Sequence, residues 1–189
     1  MREYVFCKLD QEKELIARAQ ALNYTEIVLI FSEKDVFSVN IKLKKKLGEL
    51  SLVNVLFGVL AETENKQFNK ALFDEILQLG TSKSLVSKHI TCLFDNENEE
   101  EKDFIHQRRS GLNHIVLTLC AEKKIKVLFS YAALQEANDL RRAQVLGRIK
   151  LNLSLCKKYG VEYSFASFTS KKEKIRDAKD VAAFLRLLE

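Results

Sequence analysis

The sequence predicts an α/β protein in which about seven or eight strands alternate with helices. Two observations carry this. Glu3–Leu9 reads as a strand, Gln11–Leu22 as a helix and Glu26–Phe31, with its Ile-Val-Leu-Ile-Phe run, as a buried strand. Strand, helix and strand within about thirty residues make a βαβ unit, which implies a parallel sheet and a right-handed crossover. Short apolar runs of the same kind then recur along the chain, separated by segments of helical spacing, without an internal repeat or a low-complexity linker. A chain of 189 residues is long enough to bury a core as one domain spanning 1–189.

In the first unit, Asp10 is placed to cap the helix, whose inner stripe is Leu15, Ile16, Ala19 and Leu22. Val36–Leu43 alternates like a strand and runs into Lys44, Lys45 and Lys46. Such a lysine run usually marks a solvated edge, and less often touches RNA. A further strand lies around Val55–Leu60. In Asn65–Leu79, Phe68, Ala71, Leu72 and Ile76 suit a helix, and local pattern does not arbitrate between one that runs on to Leu79 and one that ends near Phe73 before a strand over Glu75–Leu79. Thr81–His89 reads as a short helix, Thr91–Asp95 as a short strand, and Asn96–Glu101 as an exposed acidic loop without an apolar residue.

Leu112, Ile115, Val116, Leu119 and Cys120 recur at the spacing of one helix face, with Ser110 as the expected N-cap. Ile125–Ser130 is a buried strand. Ala132–Tyr159 is helical across most of its length but apolar on two sides. Leu146, Ile149, Leu153 and Cys156 form the face toward the sheet, whereas Ala137, Leu140, Leu151 and Leu155 form another, covered either by the chain itself or by a second chain. Arg141, Arg148 and Asn152 share the remaining side. Glu162–Phe168 reads as a last strand, Ser170–Arg176 as a Lys-rich connection, and Lys179–Leu188 as a closing helix with Val181, Phe184, Leu185 and Leu188 inward.

Composition narrows the class. With 47% hydrophobic and 30% charged residues, the chain has the profile of a soluble globular protein. Its longest apolar stretch, Leu50–Ala61, is too short to span a bilayer, and Met1 leads directly into the first strand without a secretory signal. Cys7, Cys92, Cys120 and Cys156 lie far apart in apolar segments, as expected of reduced structural cysteines in a cytoplasmic protein. Residues 1–103 hold 14 Lys and Arg against 18 Asp and Glu, and residues 104–189 hold 17 against 8. The basic charge therefore sits in the second half, which raises the odds of a polyanionic partner.

Arg108 and Arg109 stand beside the start of the Ser110-capped helix, where unpaired backbone N–H groups already carry partial positive charge. Two cations there are offset by an anion, and phosphate suits N–H groups, Gly111 and two guanidinium forks together. Alternatively, both arginines extend into solvent or meet the acidic run before them.

Phe104–His114, read as FIHQRRSGLNH, resembles the most recognisable segment of ribonuclease P protein component 3, an archaeal and eukaryotic family with a PHP-type barrel fold. The resemblance continues through Lys126–Ser130, Arg141–Tyr159 and Asp180–Leu188, and in the first half extends only to the order of elements. It implies a shortened, TIM-like βα barrel and an accessory, non-catalytic subunit of the endoribonuclease that removes the 5′ leader from precursor tRNA. The implied partners are the ribonuclease P RNA, precursor tRNA through the complex, and protein component 2 in a heterotetramer. No cofactor is implied for this chain, since Mg²⁺ serves the RNA. By the same resemblance Arg108, Ser110, Asn113 and His114 match the family's polar motif, and Arg141, Arg148, Lys158 and Arg176 match its later basic positions; Arg109 joins them as RNA-facing through the phosphate reading. The family's prolines before the closing helix are absent here, which weakens the assignment of Arg176.

The residues argue against independent hydrolysis. A PHP-like metal-dependent phosphoesterase, the alternative from another class, needs clustered histidines and carboxylates beginning with a His-x-His pair on the first strand. Tyr4-Val5-Phe6-Cys7 has none, and His89, His106 and His114 are irregularly spaced. A lone histidine at a helix start, such as His114, more often makes a local hydrogen bond than binds a ligand. A third reading is a protein-binding barrel without RNA contact.

Overall fold

The computed structural model describes residues 1–61, 68–80, 89–98, 103 and 108–188. Seven strands form one parallel sheet in sequential order: β1 (Arg2–Phe6), β2 (Glu26–Phe31), β3 (Asn54–Ala61), β4 (Glu75–Leu79), β5 (Cys92–Phe94), β6 (Lys126–Ser130) and β7 (Tyr163–Ala166). Beyond the last ladder, Phe168 N–H donates to Tyr4 O at 2.9 Å and Phe6 N–H to Thr169 O at 3.2 Å, so that β1 and the chain after β7 nearly close a TIM-like barrel. The Glu3 carboxylate reinforces this seam, accepting from Ser167 N–H at 2.7 Å and Ser167 Oγ–H at 2.8 Å.

Alternation within each strand creates two apolar layers. Tyr4, Val28, Leu77, Leu128 and Ala166 fill the barrel, and Val5, Leu29, Phe57, Val127 and Phe165 meet the helices outside. Gly58 faces inward, where an added Cβ would come within 2.9 Å of Val28, so only glycine lets the strands converge there. At the N-terminal end of the strands, Arg2 bridges Glu26 at 2.9 Å and Glu75 at 2.6 Å. At the opposite mouth, where barrel enzymes carry their chemistry, Phe94 and Phe168 stack at 5.2 Å and Phe168 stacks on Tyr4 at 5.5 Å, with Phe6 tilted against both phenylalanines.

Among the described residues, the outer layer comprises α1 (Glu12–Ala21), α2 (Ile41–Glu49), α3 (His114–Lys123), α4 (Tyr131–Glu136), α5 (Asp139–Tyr159) and α6 (Ala178–Leu188). Several expectations shift. Asp10 does not cap α1; it has φ 70°, and Gln11 occupies the cap position without a side-chain bond. Val36–Leu43 is not a strand. A 3₁₀ turn at Val36–Ser38 leads to Asn40, whose side chain accepts from Leu43 N–H and starts α2. Of the lysine run, Lys44 pairs with Asp74 at 2.7 Å and donates to Leu72 O. Between the two readings of 65–79, the strand at Glu75–Leu79 is observed. The helix expected over Thr81–His89 lies outside the described residues except for His89, as do Glu99–Glu101 of the acidic loop and Phe104–Gln107 of the central segment.

The start of that acidic loop is buried rather than exposed. Asn96–Asn98 form a 3₁₀ turn in which Asn96 and Glu97 are covered. The long helical region divides at Ala137, and the Asn138 side chain accepts from Arg141 N–H to begin α5. Val181 and Leu188 of α6 are buried as expected, with Phe184 and Leu185 packed partly against the core. All four cysteines are buried and unbridged, and burial pushes Cys120 up to about 11 and Cys156 up to about 12, keeping both thiols protonated. No helix among the described residues is long and apolar enough to cross a membrane.

Candidate nucleic-acid interface

The central segment enters α3 later than its pattern suggests. Asn113, not Ser110, is the N-cap: it has extended backbone, and its side chain accepts from Val116 N–H at 3.0 Å. Both residue types cap well. The choice falls on Asn113 because Gly111 takes φ +75° and turns the chain before Leu112 is buried. Arg108 and Arg109 thus precede the helix by a full turn of loop instead of flanking its first N–H groups. An added Cβ at Gly111 would also overlap the Asn96 carbonyl. Gly111→Ala is expected to cost at least about 2 kcal/mol, combining left-handed strain with that overlap, read as a lower urea midpoint.

Between this loop and α5 lies an open groove of about 650 Å³. Arg108, Ser110, Asn113 and His114 line it from the loop side, with Leu112, and Gly147, Lys150, Leu151, Ser154 and Leu155 from α5. Four of the expected site residues are therefore brought together. Arg108, Asn113 and His114 are exposed. Ser110 is 3% exposed and contributes mainly its backbone, whose carbonyl accepts from Asn152 Nδ2 at 2.8 Å. His114 opens α3, and its carbonyl accepts from Thr118 Oγ at 2.8 Å. The groove has an apolar floor of leucines and a rim carrying Arg108 and Lys150, with no acidic side chain in the first turn of α3. Chemically this suits an anionic chain that also presents apolar surface, as nucleic acid does.

The other basic residues are dispersed. Arg109 is half-buried, and its N–H donates to Asp103 Oδ1 at 2.9 Å. Arg141 donates to Gln144 at 2.7 Å and Asn98 at 3.3 Å near the start of α5. Lys158 lies exposed at the other end of that helix, 5.7 Å from the Tyr159 ring centre. Arg176 belongs to a second cavity of about 620 Å³, beside Tyr131, Leu134, Leu146 and Phe184, with its guanidinium 5.5 Å from the Tyr131 ring centre.

Arg148 is corrected outright. Its side chain is 0% exposed, with Nε and Nη2 donating to Asp103 Oδ1 at 2.9 and 2.8 Å and Nη1 donating to Glu97 O at 3.1 Å. A guanidinium so enclosed does not present itself to phosphate. Desolvation pushes the Asp103 carboxyl up, but the hydrogen bonds from Arg148 and Arg109 N–H and the Arg148 charge together hold it below the usual carboxylate range. The side of α5 shared by Arg148 and Asn152 is thus the side beneath the loop. Lys150, Ser154 and Gly147 were not singled out in the sequence, although Leu151 and Leu155 marked the same outward face.

The described residues of the barrel mouth are mostly aromatic and aliphatic. They include Phe6, Leu60, Leu79, Phe94 and Phe168, with Asp95, Asn98, Ser130 and Glu136 around them. No group of three His, Cys, Asp or Glu among the described residues is arranged to hold a metal ion.

No protein-family model matches the sequence, and a search of curated proteins finds no match. Among solved structures, A. niger ochratoxinase aligns at 10% identity over 91% of this chain and 63% of its own, with a TM-score of 0.42 that supports no common fold. A chain of the cryo-EM structure of archaeal ribonuclease P with mature tRNA aligns over 100% of this chain and 82% of its own, at 19% identity and a TM-score of 0.72. This chain therefore has the fold of a protein found in an archaeal ribonuclease P.

Proposed function

We propose that this chain is an accessory protein subunit of ribonuclease P, which binds the catalytic RNA and supports removal of the 5′ leader from precursor tRNA. The observation that carries the reading is the end-to-end agreement in fold with a chain of an archaeal ribonuclease P, at a TM-score of 0.72. The Arg-Ser-Gly-Leu-Asn segment, whose Arg108 rims a groove with Lys150 and His114, supports it independently. Arg and Lys side chains offset phosphate repulsion here, and the cleavage chemistry stays with the RNA and its Mg²⁺. The protein partner in this reading is component 2, two copies of each forming a heterotetramer. Leu140, 88% exposed, and Ile115, 59% exposed, are apolar surface that such a partner would cover.

The test is reconstitution of ribonuclease P from its RNA and component 2, with and without this chain, at low Mg²⁺. The chain is expected to restore cleavage of precursor tRNA. A variant carrying Arg108→Ala and Arg109→Ala is expected to stay folded and to bind the RNA roughly ten- to a hundredfold more weakly, with a shallower salt dependence. RNA binding by the double variant equal to that of the parent would overturn the assignment of this loop.

A further inference from the structure

We infer that Gly147, Arg148 and Asn152 of α5 are positioning residues, which fix the 108–111 loop so that Arg108 meets RNA already oriented. The inference rests on the RNA-binding reading above. Each residue of the loop is held by a different anchor. At position 108, the guanidinium lies across the α5 backbone at Gly147, where an added Cβ would overlap it. Position 109 is held through Asp103, whose Oδ1 accepts from Arg109 N–H and from Arg148 Nε and Nη2, all between 2.8 and 2.9 Å. At position 110, the carbonyl accepts from Asn152 Nδ2 at 2.8 Å. Position 111 packs against the Asn96 carbonyl, one residue from the Glu97 carbonyl that Arg148 Nη1 also binds.

Arg148 and Asn152 are wholly buried, so neither reaches a ligand directly. Their contribution passes through the loop they hold. Gly147 gives the clearest sign of this division. Glycine inside a helix is less stable than alanine, and no left-handed backbone at this position calls for it. The guanidinium of Arg108 is laid against the bare Cα of Gly147 and, as the far end of a flexible side chain, is what an added Cβ would displace. An arginine ordered before binding avoids the rotamer cost that a freely moving side chain incurs on contact with phosphate.

The experiment compares Gly147→Ala, Arg108→Ala, their combination and Asn152→Ala in the intact chain. It measures affinity for the ribonuclease P RNA across a salt series, together with the thermal midpoint. Gly147→Ala is expected to keep or raise the midpoint while weakening RNA binding about five- to tenfold, and to add nothing once Arg108 is alanine. Asn152→Ala, out of reach of RNA, is expected to weaken binding in the folded protein as well. Parental affinity in Gly147→Ala and Asn152→Ala, beside weakened Arg108→Ala, overturns positioning and leaves the RNA reading intact. Parental affinity in all of them, Arg108→Ala included, overturns both.

Discussion

The Arg148→Met variant is expected to unfold with about 3 kcal/mol less free energy than the parent, the low end for breaking an enclosed ion pair, because Arg148 is buried while the Asp103 side chain is 22% exposed. Methionine replaces the aliphatic stem but leaves Asp103 without the Nε and Nη2 donors and the Glu97 carbonyl without the Nη1 donor. For a chain of this length the loss corresponds to roughly 10 °C in thermal midpoint. A phosphate-binding surface arginine would behave in the opposite way, losing RNA affinity at unchanged stability. The variant also has an acid-side signature. Because the Asp103 carboxyl titrates below its usual range, its stabilising contribution is present above the ordinary Asp pKa and is lost as pH falls through the depressed value. Arg148→Met reduces that dependence, leaving the part that the Arg109 N–H bond supports, which melting curves collected down to acidic pH would record.

Glu97 is expected to produce the largest effect on the alkaline side. It is wholly buried, Oε1 accepts from Ser130 N–H at 3.2 Å, and Oε2 meets no hydrogen-bond partner among the described residues. Burial, with the nearby Asp95 charge adding, pushes its carboxyl up from 4.5 to about 8 against backbone hydrogen bonds that pull it down. A folded-state value above the unfolded one means that stability is complete below the unfolded pKa and declines as pH rises through the folded pKa. Glu97→Gln keeps the shape and the acceptor but cannot ionise. Relative to the parent it is expected to gain on the order of 4 kcal/mol between pH 4 and pH 9, being nearly equal at the acid end. Urea unfolding of both proteins at the two pH values measures this; equal pH dependence would show that Glu97 ionises without penalty.

The strands were legible because both sides of each are covered. Runs such as Glu26–Phe31 and Lys126–Ser130 are apolar almost throughout, which a parallel strand between barrel core and helices requires. Val36–Leu43 misled because its alternation is too short to outweigh one capping residue, Asn40, which committed the lysines after it to a helix. The groove was half legible. Arg108, Asn113 and His114 are near neighbours in sequence, so a local motif contains them, whereas Lys150 and Gly147 reach the same place only through the packing of α3 against α5. Arg148 was misread for the same reason. A charged residue looks exposed until its partner is known, and Asp103 lies 45 residues away in a stretch whose acidity itself suggested solvent.

Barrel closure has a consequence for biosynthesis. The groups that close it are 164 residues apart, Glu3 on β1 and Ser167 just beyond β7. On the ribosome β1 emerges before β2 and pairs with it on one side alone, while its other edge waits until the residues after β7 are made. Through that interval the nascent chain presents an open strand edge with a carboxylate that burial has not yet claimed. Its charge discourages pairing with another chain, and then disappears into the seam once Ser167 arrives, where desolvation raises its pKa against the hydrogen bonds from Tyr24, Ser167 and Tyr4. The residue that closes the finished barrel is thus also the one that guards its edge during synthesis.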